Sequence, residues 1–246
     1  MGDLVLREDA GGVANLTLNR PEKLNALSME LFGELEAHVA SIGADAAVHV
    51  VTLRGAGRGF SAGHDLGGIA EGEAHERPDF QAHVIEALAN LPQPVIAGVH
   101  GFCFTGALEL ALGADIILAT ASAKFADTHA RFALVPVWGL SQRLPRRVGT
   151  YKAREMMFTC RAYSGVEAAA MGLANICVPD EEFETALAAL AAEIAAQSPH
   201  SHRANKRLLM ETDGLPLAAG LAHEIYAGAG RGPDMQERIA AFRNRK

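Results

Sequence analysis

The apolar positions of the first twenty residues alternate with polar ones. Leu4 and Leu6, then Ala14, Leu16 and Leu18 against Val13, Asn15 and Thr17, are split by Ala10-Gly11-Gly12. A period of two around a glycine turn predicts a hairpin of two strands. Asn19-Arg20-Pro21-Glu22-Lys23 then reads as a loop, and Ser28 as the N-cap of a helix carrying Leu31, Phe32, Leu35 and Val39 on one face. Val48 to Leu53 is a β-branched run of strand length, closed by the glycine-rich GAGRGFSAGHDL. Phe80 to Leu91 has helical spacing and stops before Pro92-Gln93-Pro94, and Val95 to Val99 is a short strand. ALELALGAD, after Gly106, predicts a helix ending near Gly113, followed by the strand Ile116-Ile117-Leu118.

Strands alternating with helices at this spacing predict an α/β fold built from parallel strands. From about Glu181 the pattern changes. Glu182 to Gln197, Ser201 to Glu211, Leu215 to Ala227 and Pro233 to Arg245 all read as helices, with no strand signal among them. Such a run predicts a helical appendage packed on its own core or on a neighbouring subunit.

The 246 residues are 49% hydrophobic and 21% charged, ordinary values for a globular enzyme and too apolar for a disordered chain. No apolar run approaches the ~20 residues of a membrane span, so no membrane association is expected. The acidic start MGDLVLREDAGG lacks the basic and apolar regions of a secretory signal. With 22 basic against 29 acidic residues the net charge is −7, and no basic stripe suited to phosphates stands out, which argues against a nucleic-acid partner. Cys103, Cys160 and Cys177 are odd in number and far apart, so neither a zinc site nor a disulfide framework is expected. A reduced, cytoplasmic chain is the expectation.

Three segments carry candidate chemistry. Gly55 to Leu66 is dense in glycine, so it reads either as a mobile loop or as backbone presenting N–H groups to a ligand. In the second, Gly106 stands at the start of a helix, a good place for an N–H facing a developing oxyanion. Glu109 follows one turn later. It is either a solvent-facing carboxylate or, among Leu108, Leu110 and Ala111, a partly desolvated one suited to proton transfer. The third, KFADTHARFALVPVWG, brings Asp127, His129 and Trp138 near a proline turn. His129 reads as structural or catalytic, and Trp138 as packing or substrate wall.

NRPEKLNAL, GRGFSAGHDL, PVIAGVHGFCFTGALELALGADI and KFADTHARFALVPVWGLSQRLPRRVG, in this order and spacing, resemble the enoyl-CoA hydratase/isomerase (crotonase) family across nearly the whole chain. The resemblance implies a crotonase-like spiral of ββα units over residues 1–195. It also implies a helical C-terminal region, 196–246, that assembles the chain into a homo-trimer or dimer of trimers. It further implies an acyl-CoA thioester substrate, with coenzyme A as part of that substrate and no metal or redox cofactor. On the matching positions the thioester oxygen falls to the N–H groups of His64 and Gly106, and proton transfer to Glu109. Lys23, Leu24, Ala62, Gly63, Asp65 and Leu66 match the family's coenzyme A contacts, with Trp138 as a pocket residue and Arg245 and Lys246 as weaker phosphate contacts.

One position departs from the family's pattern. Hydratases of the family supply a second glutamate about twenty residues after the first, and this chain has His129 there. An imidazole titrates near neutrality and can serve as acid or base, with Asp127 as its orienter. Hydration of a 2-enoyl-CoA to the 3-hydroxyacyl-CoA is the leading expectation. Double-bond isomerisation and decarboxylation of malonyl-type esters stay open, the latter weakened by Val137 where those enzymes carry tyrosine. A binding protein without turnover is the alternative of another class. Gly59-Phe60-Ser61-Ala62-Gly63 also spells the GxSxG of hydrolases, but Gly55 to Arg58 separates it from the preceding strand, where the elbow requires direct continuity.

Overall fold

The computed structural model describes residues 3–72 and 75–244. The alternation at the start folds as predicted, β1 (Val5–Ala10) pairing antiparallel with β2 (Val13–Leu18). Ser28 caps α1 (Met29–Ala44), its hydroxyl accepting from Leu31 N–H, and Leu31, Phe32, Leu35, Val39 and Ile42 are the buried face. β3 (Val50–Gly55) lies two residues later than the apolar run suggests and pairs parallel with β2. Helices α2 (Leu66–Glu71) and α3 (Phe80–Ala89) follow.

From β3 onward the chain repeats one unit. β4 (Val95–Val99) joins the first sheet, β5 (Phe102–Phe104) steps into a second, and α4 (Gly106–Leu112) returns. The next turn is β6 (Ile116–Thr120), β7 (Lys124–Ala126), then α5 (Leu140–Val148) and α6 (Thr150–Thr159). β8 (Tyr163–Ser164), α7 (Gly165–Ala170) and β9 (Ile176–Val178) complete it. The first sheet runs β1-β2-β3-β4-β6-β9, parallel from β2 on, and the second runs β5-β7-β8. Ser61 takes the corresponding place in the β3 turn through a single parallel bridge to Cys103 of β5. This is the spiral of ββα units expected of a crotonase fold.

α8 (Phe183–Ala195) lays Phe183, Leu187 and Ala191 over Val50, Ile96 and Leu118 of the first sheet. α9 (Pro199–Thr212) is tied to the core by Lys206, whose Nζ donates to Gln93 O at 3.1 Å and to Asp115 Oδ2 at 2.7 Å. α10 (Leu217–Ala227) and α11 (Met235–Arg243) bury no residue within the single chain. The four C-terminal helices are where their apolar spacing puts them, each shorter than or within two residues of the sequence reading. Among the described residues no helix is long and apolar enough to cross a membrane.

Candidate active site

The spiral brings the three chemistry-bearing segments to one cavity of about 610 Å³. Ala62 and His64 come from the loop after β3, Leu66 from the start of α2, Gly106 and Glu109 from α4, and His129 and Trp138 from the segment after β7. The loop is held by backbone pairing: Ala62 N–H donates to Leu24 O at 3.0 Å, and Leu27 N–H to Gly63 O at 2.8 Å. His64 and Gly106 are neighbours across the cavity wall. A Cβ built on Gly106 would lie 3.3 Å from the His64 nitrogen, and one on Gly63 would lie 3.4 Å from the Gly106 nitrogen.

Glu109 is the buried carboxylate of α4, with 1% of its surface exposed. Its Oε1 accepts from Trp138 N–H at 2.9 Å and from Leu140 N–H at 3.1 Å. Oε2 lies 3.7 Å from His129 Nε2. Burial pushes the Glu109 carboxyl above its ordinary range, against the lowering effect of the two N–H donors and of His129. Of the two alternatives the helix pattern leaves open, the desolvated carboxylate is the one found. Glu109 faces inward.

His129 begins a 3-10 turn, His129–Phe132, and is itself buried. Asp127 Oδ1 accepts from His129 N–H at 3.1 Å and contacts His129 Nδ1 at 2.6 Å. An ionised carboxylate only accepts, so this contact places the ring proton on Nδ1 and the lone pair of a neutral imidazole on Nε2. Nε2 is the ring nitrogen that lies 3.7 Å from Glu109 Oε2.

Trp138 combines both of its readings. It is 5% exposed, it packs edge-on to Phe32 at 5.2 Å, and it still lines the cavity with its ring 4.7 Å from that of His64. Lys23, Leu24, Gly63 and Asp65 are not in the cavity wall. The Asp65 carboxylate turns to Arg20, with Nη1 to Oδ2 at 2.6 Å, and accepts from Gly67 N–H at 3.0 Å. Lys23 is exposed and Leu24 half-buried at the end of the turn Pro21–Lys23. Arg245 and Lys246 lie outside the described residues.

Two contributors, Thr105 and Asn25, carry no role in the sequence analysis, and a third, Ser61, enters it only through its match to a hydrolase motif. Thr105 holds φ 52° and ψ −110° immediately before Gly106, a strained backbone for a β-branched residue. Its hydroxyl hydrogen-bonds that of Thr128 and accepts from Thr128 N–H at 3.1 Å, which locks the α4 start to the segment bearing His129. Buried Asn25 donates to Ala56 O and Gly59 O at 2.8 and 2.9 Å and so shapes the glycine loop. A polar residue inside LNAL, between leucines, is the one signal that marks it. Ser61 is fully buried, and its Oγ accepts from Gly63 N–H at 3.1 Å, the geometry of a loop staple. Among the described residues no cluster of His, Cys, Asp and Glu has the arrangement of a metal site.

Comparison with known proteins bears on the family and the fold. The family model of enoyl-CoA hydratase/isomerase matches residues 8–237. A probable enoyl-CoA hydratase of Rhizobium meliloti is 36% identical over 247 residues, 98% of this chain and 95% of that protein. The 1,2-epoxyphenylacetyl-CoA isomerase of Escherichia coli is 32% identical over 251 residues, 98% of this chain and 96% of that one. Among solved structures, an enoyl-CoA hydratase from Bacillus anthracis superposes with a TM-score of 0.91 at 33% identity, covering 99% of this chain and 97% of that one.

Proposed function

The chain belongs to the enoyl-CoA hydratase/isomerase family, and on that premise we propose that it adds water to a 2-enoyl-CoA. The observation that carries the proposal is the pairing of Glu109 Oε2 with His129 Nε2 at 3.7 Å on one cavity wall, the imidazole oriented by Asp127. Two titratable groups this close, on one wall, suit a reaction that needs both a base and an acid.

Neutral His129 takes a proton from water at Nε2 as the oxygen bonds to Cβ, and the π electrons move onto the thioester oxygen. The enolate oxygen sits between the His64 and Gly106 N–H groups, where preorganised donors favour the charged state over the ground state. Glu109, kept protonated more readily by burial, delivers its proton to Cα as the thioester carbonyl re-forms. The imidazolium then returns its proton to the Glu109 carboxylate, which restores both groups. Water has been split between Cβ and Cα, and no redox partner enters.

A second reading, double-bond isomerisation, is favoured by one observation. Among the described residues Glu109 is the only carboxylate lining the cavity, and one base can carry a proton from one carbon to another. The isomerase of Escherichia coli among the relatives is consistent with it. Incubation of a panel of enoyl-CoA thioesters in ¹⁸O-labelled water separates the two. Hydration gives a product heavier by one labelled water, whereas isomerisation leaves the mass unchanged. A panel returning only mass-neutral products would replace the hydratase by the isomerase.

A further inference from the structure

The cavity that holds Glu109 and His129 abuts a second one, of about 630 Å³. The two share Val137 and Trp138 in their walls and nothing else. Their characters differ. Apart from His64, Glu109, His129 and Arg131, the catalytic cavity is lined mainly by apolar side chains such as Leu66, Phe104, Phe132, Leu134 and Val135, whereas the second is lined by Asp79, Glu86, Arg143, Arg146 and Asp213. Trp138 is oriented across this boundary by its own backbone. Its N–H donates to Glu109 on the catalytic side, and its carbonyl accepts from Arg143 Nη1 at 3.1 Å on the charged side.

The indole is also fixed against the residues that would hold the thioester. Its ring is 4.7 Å from that of His64, and a Cβ on Gly106 would meet Cζ3 at 2.4 Å. A thioester carbonyl seated between His64 and Gly106 therefore starts its acyl chain beside this ring. Fully buried Phe32 packs edge-on against it at 5.2 Å.

Resting on the acyl-CoA reading above, we propose that Trp138 is the specificity-determining partition of this enzyme. It ends the acyl chamber, so the site takes short, apolar acyl groups and excludes long ones from the charged cavity beyond. The partition keeps the apolar chamber separate from Asp79, Glu86 and Arg143, whose desolvation by a hydrocarbon chain would be costly.

The test uses saturated acyl-CoAs, which bind without reacting. Affinities of butanoyl-CoA and dodecanoyl-CoA are measured by calorimetry for the wild type and for Trp138→Ala. Each additional CH₂ admitted to an apolar site is worth about 4-fold in affinity. Because the room opened is partly charged, the dodecanoyl-to-butanoyl affinity ratio is expected to rise about tenfold overall. Should Trp138→Ala prove insoluble, Val137→Ala serves, since Val137 is 67% exposed and lies in both walls. A smaller rise of about 3-fold, under one CH₂ in value, is expected there. An unmoved ratio in a folded variant overturns the partition while leaving the acyl-CoA reading intact. A wild type that binds neither ligand overturns the acyl-CoA reading itself, and the partition with it.

Discussion

Asp127 and His129 are joined twice, since one carboxylate oxygen accepts both the backbone N–H and the ring Nδ1–H of the same histidine. The double contact fixes the ring's rotation and its tautomer together, which a single hydrogen bond does not. Asp127→Asn keeps the volume but offers an amide that can donate to Nδ1, turning the imidazole's lone pair away from Nε2. Turnover of a crotonyl-type substrate is expected to fall by about 100-fold, with KM changed little. His129→Ala is expected to reduce hydration more than isomerisation, measured as the ratio of the two products. Unchanged turnover in both variants removes the histidine from the chemistry.

Glu109 gives a prediction with a sign in pH. Burial raises its carboxyl above the ordinary range, so the unfolded chain gives up this proton at lower pH than the folded one. The group's contribution is fully present below the ordinary carboxylate value of about 4. It is lost as pH rises through the raised value. Glu109→Gln keeps an oxygen to accept from Trp138 and Leu140 but carries no charge to desolvate. Its melting temperature relative to wild type is therefore expected to increase from pH 4 to pH 8, each ~1 kcal/mol appearing as about 2–4 °C in a chain of this size. Its turnover should fall by ~100-fold or more over the same range. A difference in melting temperature that stays flat with pH contradicts the raised carboxyl.

Gly106 is required by contact with Trp138. A methyl group at this position would lie 2.4 Å from Cζ3 of an indole that is itself backed by Phe32. Gly106→Ala is expected to destabilise the fold by roughly 1–3 kcal/mol, the usual cost of overpacking. The double variant Gly106→Ala with Trp138→Phe should recover part of that loss, measured by denaturant unfolding. No recovery means that the clash is absorbed elsewhere.

The long periodic elements of this chain are legible from their apolar spacing: the hairpin, α1, α3, β4 and the four C-terminal helices each carry enough repeats to be recognised. β5, β7, β8 and β9 are two or three residues long, too short for a period of two to show. α5 is hidden by Pro145 inside it. Asp127 and His129 are two residues apart, so their contact is visible in the sequence. The approach of His129 to Glu109 joins segments twenty residues apart and needs the spiral to be known. The Arg20–Asp65 ion pair spans 45 residues and shows the same limit. Thr105 leaves no trace at all, because a strained backbone angle has no residue signature when the residue is not glycine.

That ion pair carries its own prediction. Arg20 beside Asp65 holds the carboxyl below the ordinary carboxylate range, so its stabilisation is present above the unfolded value of about 4 and is lost as pH falls through the lowered one. Both side chains are about one-fifth exposed, which limits the pair to roughly 1 kcal/mol. Asp65→Asn is expected to lower the melting temperature by about 2–4 °C at pH 7 and to raise KM for the thioester, because the loop bearing Ala62 and His64 loses its tie to Arg20. At pH 2 the gap in melting temperature should narrow. A gap that persists there assigns the loss to packing and not to charge.

α10 presents Leu217, Leu221 and Ile225 four residues apart along one face, 79%, 51% and 71% exposed, with Tyr226 beside them. A spacing of four places these side chains on a single stripe, and α10 buries no residue against its own chain. An isolated monomer would have to expose that stripe, an apolar surface of the kind that marks an interface, and α11 exposes Phe242 as well. Neighbouring copies in the trimer or dimer of trimers that the family resemblance implies would cover it. Sedimentation at micromolar concentration should then give a mass three or six times that of the chain. Leu221→Asp, which places a charge at the centre of the stripe, should shift the boundary to the monomer while leaving the far-ultraviolet circular dichroism of the spiral in place. The acyl-CoA cavity draws its walls from residues 62–162, none of them on α10. Acyl-CoA binding by the dissociated Leu221→Asp chain is therefore the informative second measurement. Binding retained in the monomer shows that the site is complete within one chain, and a wild type that sediments as a monomer overturns the assembly.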